Sequence, residues 1–206
     1  MTNPVLVEVT RGGIAESEHR GAIAVVDSAG KVVLALGDID RPVFPRSAIK
    51  GLQAIPLIES GAADKYALTD EEIALACASH NGEERHVATA LSALRKAGCD
   101  VSTLECGAQF PMRANAGHPL IRAGLPATPL HNNCSGKHSG FICTACANGD
   151  DPHGYVKPDH PTMRNVTATV SDMTGYALGQ ASCGTDGCSI PTFAIPLKAM
   201  AFAFAK

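Results

Sequence analysis

A β-hairpin near the start of the chain limits its fold more than any other segment. Residues 22–26 and 32–36 are short runs rich in β-branched residues, and the small and polar residues 27–31 join them. Such a pattern is typical of two antiparallel strands with a tight connection. Residues 5–9 alternate between apolar and polar, which predicts another, half-buried strand. Because most later segments have helical periodicity instead, we expect a mixed α/β (α+β) fold.

The predicted helices are separated by polar or glycine-containing breaks. Thr69 and Glu72 have the spacing of a capping box, which marks a helix start. Pro56 lies within the first predicted helix and should kink it or end it early. We expect an irregular connection over 107–130 and polar loops over 131–140 and 182–189. The predicted helices span 47–60, 69–78, 84–97, 141–147, 162–173 and 196–206.

The final segment, 196–206, is apolar on most faces, including Met200, Phe202 and Phe204. A helix of this kind should be buried. The sequence ends inside it without a capping residue. We therefore expect residues 1–206 to form a single domain from which the C-terminal part is missing.

Composition describes an ordinary soluble globular protein and excludes some functions. The 206 residues are 45% hydrophobic and 18% charged, with a net charge of −3, so nucleic acid is not an expected partner. No signal peptide and no apolar run of membrane-spanning length is present, which predicts a cytoplasmic protein that does not enter membranes. In that compartment the eight cysteines should be reduced thiols or metal ligands rather than disulfides.

Ser47 and Lys50 form an S-x-x-K pattern at the start of the first predicted helix. Residues three apart lie on one helical face, so the hydroxyl and the amine can meet. A serine hydroxyl needs a neighbouring base, and a lysine with a lowered pKa can serve. Pro45 places Ser47 in the first turn, where the helix dipole favours an alkoxide. The pattern also occurs by chance, so its surroundings must decide.

Two glycine-containing loops, 134–138 and 183–188, concentrate thiols with other metal-ligating groups. Thiolate, imidazole and carboxylate suit zinc, although neither loop has zinc-finger spacing. Lys137 could join them only after losing its proton. Spacing alone favours the alternative, in which the cysteines are small fillers of two turns. The C-x-x-C pair at 143–146 is interpreted as two small buried thiols.

Residues 79–83 place a hydroxyl, an imidazole and a carboxylate in a short break between helices. Taken alone, this pattern is more often ordinary capping chemistry. Ser79 or Asn81 would then cap the next helix, and Glu83 would favour its first turn.

Four motifs occur in an order that is more specific than any one of them. They are 46–51 (RSAIKG), 79–83 (SHNGE), 131–138 (HNNCSGKH) and 186–192 (DGCSIPT). With them the sequence resembles the Rhizobium etli-type, or class 3, L-asparaginases over 5–204. The resemblance implies a fold similar to serine β-lactamases and penicillin-binding proteins, with an antiparallel sheet flanked by helices. It also implies hydrolysis of L-asparagine to L-aspartate and ammonia, by an enzyme that we expect to be a homodimer.

The resemblance also implies roles for individual residues. Ser47 would be the nucleophile and Lys50 its base, while Ser79 would belong to a second Ser–Lys pair whose lysine lies beyond this sequence. A zinc ion would be the cofactor. Its ligands would be Cys134, Lys137 and Cys188, with Asp186 close by. Candidate substrate-binding residues are Arg46, His80, Glu83, Asn133 and His138.

Two other functions fit parts of the pattern. One is a β-lactam- or peptide-reactive serine enzyme, because S-x-x-K also marks those enzymes, although no clear S-D-N or K-T-G motif is present. The other is an inactive zinc-binding fragment. An incomplete domain would expose apolar surface and tend to associate.

Overall fold

The computed structural model describes residues 2–178 and 182–206. They fall into two compact units, the first formed by 2–45, 171–178, 182 and 193–206 and the second by 46–170 and 183–192. Each unit is described by itself. The single domain expected from the sequence stays a prediction, as does its likeness to serine β-lactamases.

The first unit is built mainly from short antiparallel strand pairs. The predicted hairpin is confirmed, and the Asp27 carboxylate closes its turn by accepting the N–H groups of Ala29 and Lys31. A second pair, β1 with β2, includes one strand that the sequence analysis missed, because five of its seven residues are charged or polar. The strands of this unit are β1 (Val5–Arg11), β2 (Ile14–Arg20), β3 (Ile23–Val26), β4 (Val32–Leu36), β5 (Pro42–Val43) and β8 (Ile195–Pro196), and β5 pairs with β8.

The last helix, α9 (Leu197–Ala205), also belongs to the first unit and packs on β3. Met200 and Ala203 are buried there, as the sequence predicted. The prediction of all-round burial is wrong for Phe204, whose exposed fraction is 58%. The reason is geometric, since β3 covers only one face of the helix.

Helices dominate the second unit. They are α1 (Lys50–Gln53), α2 (Ile55–Glu59), α3 (Ala62–Lys65), α4 (Asp70–Ala76), α5 (Glu84–Lys96), α6 (Ala114–Arg122), α7 (Ser135–Asn148) and α8 (Pro161–Thr174), of which 171–174 belong to the first unit. The capping box of Thr69 and Glu72 is confirmed. The predicted loop 182–189 is wrong at its start, because β6 (Cys183–Thr185) pairs there with β7 (Pro191–Phe193).

The continuous helix predicted over 47–60 is wrong. A 3-10 turn (Arg46–Ile49) leads into α1, and the chain breaks at Ala54 before α2 begins. Pro56 explains the break, because it has no N–H to bond back into α1 and is tolerated only in the first turn of a new helix. The prediction that this proline would interrupt the helix is confirmed.

Helix α7 is the centre of the second unit, and it begins at Ser135 rather than at Phe141. Residues 135–140, predicted as loop, are helical and buried against α4 and α5. Gly136 allows this packing, because a Cβ there would lie 2.5 Å from the carbonyl oxygen of Leu75 in α4. Small side chains are therefore what let the two helices approach so closely.

Candidate active site

Three polar side chains from three segments meet beside α7. Ser47 lies in the 3-10 turn before α1, and Ser79 follows the end of α4. The Ser79 hydroxyl donates to Ser47 Oγ at 2.7 Å, and Lys50 Nζ donates to Ser79 Oγ at 2.8 Å. The order is therefore Ser47, Ser79, Lys50. Ser79 therefore contacts Lys50, the base proposed for Ser47, whereas a second Ser–Lys pair with a lysine beyond this sequence stays a prediction.

Lys50 is held in a setting unusual for a lysine. Its exposed fraction is 1%, and Nζ also donates to the carbonyl oxygens of Ala78 at 2.9 Å and Asn133 at 3.3 Å. Burial lowers the pKa of Lys50, while the neighbouring Cys134 thiol opposes that shift. Two N–H directions are thus taken by carbonyls, and the third points to Ser79. In the neutral amine that third direction carries the lone pair, as a general base requires. Ser79 then donates to Lys50 and accepts from Ser47, because both hydroxyl groups can rotate.

Ser47 opens into a pocket of about 490 Å³. Arg46, Asn133, Cys134, Asp186 and Cys188 also line it, so half of the predicted site residues line one pocket. The sequence analysis missed a further wall, 106–109, and also Asn132 and Ser189. Residues 106–109 (CGAQ) form no motif with a recognised chemistry, so no signal marked them.

The backbone is strained on two sides of this pocket. Arg46 and Ser189 have φ of 53° and 77°, a left-handed conformation that is rare for residues other than glycine. Such conformations cost about 1–3 kcal/mol each and cluster at functional sites, where the surrounding structure maintains them. Ala67 is the only other non-glycine residue with positive φ in the described part of the chain. The strain therefore marks the pocket independently of the side-chain chemistry.

Arg46 and Asp186 form an ion pair across the pocket, with 3.0 Å between the guanidinium nitrogen and the carboxylate oxygen. The Arg46 side chain is 63% exposed and that of Asp186 is 14% exposed, so a bound ligand can reach the guanidinium more readily than the carboxylate. Asp186 also accepts the N–H of Gly187 at 2.7 Å. The Asp186 carboxylate therefore contacts Arg46 and is not available only to the neighbouring thiols.

The predicted metal ligands Cys134, Lys137 and Cys188 converge in the buried interior. Lys137 Nζ lies 3.3 Å from Cys188 Sγ. The hydrogen bond between Cys134 and Cys188 is the largest influence on the pKa of each thiol. It lowers the pKa of Cys134 to about 6 and raises that of Cys188 to about 11. Within 2–178 and 182–206, no group of three or more His, Cys, Asp or Glu side chains is arranged to hold a metal ion. The predicted third ligand, the amine of Lys137, lies beside this pair of thiols.

His138 lies in the core and does not line the pocket, unlike a typical substrate-binding residue. Burial lowers its pKa to about 4, so the ring is neutral. Nδ1 is 2.6 Å from the Tyr155 hydroxyl, which also accepts the N–H of Glu105. The Cys188 thiol also forms a hydrogen bond with the ring, and this contact opposes the lowering of the His138 pKa.

His80 and Glu83, also predicted to bind substrate, do not line the pocket either. His80 Nδ1 accepts the N–H of Gly82, so Nε2 carries the proton and donates to Ser135 Oγ at 2.9 Å. Burial lowers the pKa of His80 to about 4 and keeps it neutral. Glu83 caps α5 together with His86, the capping role that the sequence had assigned to Ser79 or Asn81. His80 thus fastens the segment after α4 to α7 and holds Ser79 in place.

Comparison with known proteins identifies the family. Residues 7–206 match the L-asparaginase II family, whereas no curated protein matches the sequence. The finer likeness to the Rhizobium etli-type enzymes stays a prediction. None of the described helices combines the length and the apolar character needed to cross a membrane. Because the family match spans almost the whole chain, this protein belongs to the L-asparaginase II family and is an amidohydrolase.

Proposed function

We propose that the protein hydrolyses L-asparagine to L-aspartate and ammonia, with Ser47 as the nucleophile. The observation that carries the proposal is the hydrogen-bonded series Ser47–Ser79–Lys50, which opens into the pocket. The family match supports the substrate. The S-x-x-K spacing within one helical turn also supports the predicted likeness to serine β-lactamases.

The series provides a route for the proton that the nucleophile must lose. Ser47 Oγ attacks the carbon of the side-chain amide while its proton passes to Ser79 Oγ, and the proton of Ser79 passes to neutral Lys50. The C–N bond then breaks, and the proton returns along the same route to the leaving nitrogen, which departs as ammonia. Water attacks the resulting ester by the same base and releases aspartate. General-base help of this kind contributes typically 10²–10⁴-fold in rate.

The charged pair at the pocket suits an amino-acid substrate. L-Asparagine carries an α-carboxylate and an α-ammonium group, and the exposed Arg46 and the carboxylate of Asp186 have complementary charges. A bidentate guanidinium contact is the strongest way to bind a carboxylate. Asn133 adds a carboxamide at the same wall. We propose that these three residues orient the substrate over Ser47.

We further propose zinc as a cofactor, held by Cys134, Cys188 and Lys137. Two buried thiols and an amine suit zinc chemically once they lose their protons, and the low pKa of Cys134 favours this loss. Asp186 is not needed as a ligand, because Arg46 already neutralises it. Bound zinc would supply positive charge at the pocket wall and tie α7 to the 186–189 turn. The chain's own residues still perform the proton transfers.

The direct test of function is ammonia release from L-asparagine by the purified protein. We expect release that is matched by aspartate formation, and no turnover of a chromogenic β-lactam. Hydrolysis of the β-lactam without asparaginase activity would contradict the proposal and favour the S-x-x-K alternative.

The predicted homodimer and the predicted cytoplasmic location stay predictions. The solution mass of the same sample would test the homodimer.

The zinc proposal predicts a loss of metal when one thiol is removed. We expect about one zinc per chain by elemental analysis, and Cys188→Ala should retain little of it and bind asparagine more weakly. Cys183→Ala is the matched control, because that thiol is exposed and near in sequence but outside the cluster. Full zinc in the Cys188 variant, or no zinc in a wild type purified with zinc present, would contradict the proposal.

A further inference from the structure

The wall of the pocket that the sequence analysis missed contains one polar side chain, Gln109. It lies in the irregular segment before α6 and lines the same pocket as Ser47. Its Oε1 accepts the backbone N–H of Asn133 at 3.2 Å. The side chain therefore connects the 106–109 wall to the segment that leads into α7.

This hydrogen bond determines which end of the carboxamide faces the ligand. A backbone N–H must meet an acceptor, so the oxygen of Gln109 is fixed towards Asn133. The amide nitrogen is the opposite branch of the same planar group. Nε2 has no hydrogen-bond partner among the described residues, and it is not among their buried unsatisfied atoms. It is thus an open donor on a residue that lines the pocket.

Gln109 is also held at a fixed place relative to the reacting groups. The carbonyl oxygen of Asn133 accepts from Lys50 Nζ at 3.3 Å and from the N–H of His80 at 3.2 Å. One residue therefore anchors both the base and the Gln109 carboxamide. Because the carboxamide of Gln109 is held in place before the substrate binds, its hydrogen bond can favour the one substrate position that suits the reaction.

We propose that Gln109 is a substrate-positioning residue that donates from Nε2 to an oxygen of the bound amino-acid amide. The proposal rests on the proposed asparaginase function and extends it. L-Asparagine offers two kinds of acceptor, its α-carboxylate and its carboxamide oxygen, and both lose water in the pocket. The Arg46 guanidinium already contacts Asp186. A second, uncharged donor would therefore help to bind the oxygens of the substrate.

The structure provides variants that separate this role from a structural one. Gln109→Glu has nearly the same shape, keeps the acceptor for the Asn133 N–H and loses the donor. Gln109→Met loses both. We expect kcat/KM for L-asparagine to fall about tenfold to hundredfold in both variants, the range for a lost hydrogen bond to a charged or polarised group. Only Gln109→Met should also lower the thermal midpoint.

The kinetic pattern tells which oxygen is bound. A rise in KM alone indicates the α-carboxylate, whereas a fall in kcat indicates the carboxamide oxygen, on which negative charge develops. The new carboxylate of Gln109→Glu would also raise the pKa of Lys50 and move the rate profile to higher pH. Each variant is therefore compared with the wild type at its own optimum, where that shift cancels.

Two results would overturn the proposal, and they are distinguishable. If the wild type hydrolyses L-asparagine and Gln109→Glu stays within about twofold of it, Gln109 only supports the backbone. If the wild type releases no ammonia from L-asparagine, the proposed function fails and this inference fails with it. A lower kcat/KM in Gln109→Glu with an unchanged thermal midpoint supports the positioning role.

Discussion

Ser47→Ala should abolish ammonia release from L-asparagine while the protein stays folded. Removing a covalent nucleophile typically lowers kcat by several orders of magnitude, because no other group can form the acyl intermediate. Ser47 is at the surface of the pocket rather than in the core, so the loss of its hydroxyl should barely change the thermal midpoint. Ammonia release and the thermal midpoint, measured on one preparation, test both statements.

Two further variants test the order of the proton route. If Lys50 acts through Ser79, then Ser79→Ala should cost nearly as much activity as Lys50→Arg, which keeps the charge but cannot serve as a base. If Lys50 instead reaches Ser47 directly, the Ser79 variant should keep most of its activity. Ser28→Ala removes an exposed serine of the first unit, so it is the control and should behave as wild type.

For the first prediction, near-native hydrolysis by Ser47→Ala would show that another residue is the nucleophile.

The elements that the sequence predicted well are those specified by local chemistry. The β3–β4 hairpin follows from β-branched runs around a short turn, and α4 follows from the Thr69–Glu72 capping box. Helix α5 ends as expected beside Gly98, whose positive φ suits a helix terminus. In each case neighbouring residues provide the decisive hydrogen bonds.

The start of α7 was missed because its stability is not local. Ser135, Gly136 and Gly140 have weak helix propensity, so the sequence around them resembles a loop. The structure makes this segment helical by packing α4 and α5 against it, and close packing requires the small side chains. A tertiary contact thus overrides the local preference, which no pattern within the segment could reveal.

In the candidate site, too, local sequence predicted some features, whereas others depend on tertiary contacts. Ser47, Lys50, Cys134 and Cys188 carry recognisable chemistry, and the structure places all four around one pocket or beside it. The position of Ser79 between Ser47 and Lys50 depends on where α4 ends relative to α1. That relation is three-dimensional, so the sequence predicted the participants but not the order in which they touch.

Gly136→Ala should destabilise the second unit strongly, and this is the largest effect that we expect on folding. The new Cβ would lie 2.5 Å from the carbonyl oxygen of Leu75 and 2.8 Å from its carbonyl carbon, both backbone atoms that cannot rotate away. Alanine favours a helix over glycine by about 1 kcal/mol, but forcing two packed helices apart costs about 1–3 kcal/mol or more. Because the clash is with backbone, we take a cost of about 3 kcal/mol, which leaves a net loss of about 2 kcal/mol in the free energy of unfolding, measured by urea denaturation.

Gly140→Ala is the matched control, because it adds the same methyl group one turn later in the same helix. Its nearest neighbours would be side-chain atoms, Ala76 Cβ at 3.2 Å and a Leu57 methyl at 3.4 Å, and small shifts of Leu57 can accommodate the contact. The gain in helix propensity should then nearly offset the crowding, leaving stability within about 1 kcal/mol of the wild type. Moving α4 would also displace Ser79, so Gly136→Ala should lose activity even in its folded fraction. Equal stability of the two variants would mean that the α4–α7 contact is looser than the structure indicates.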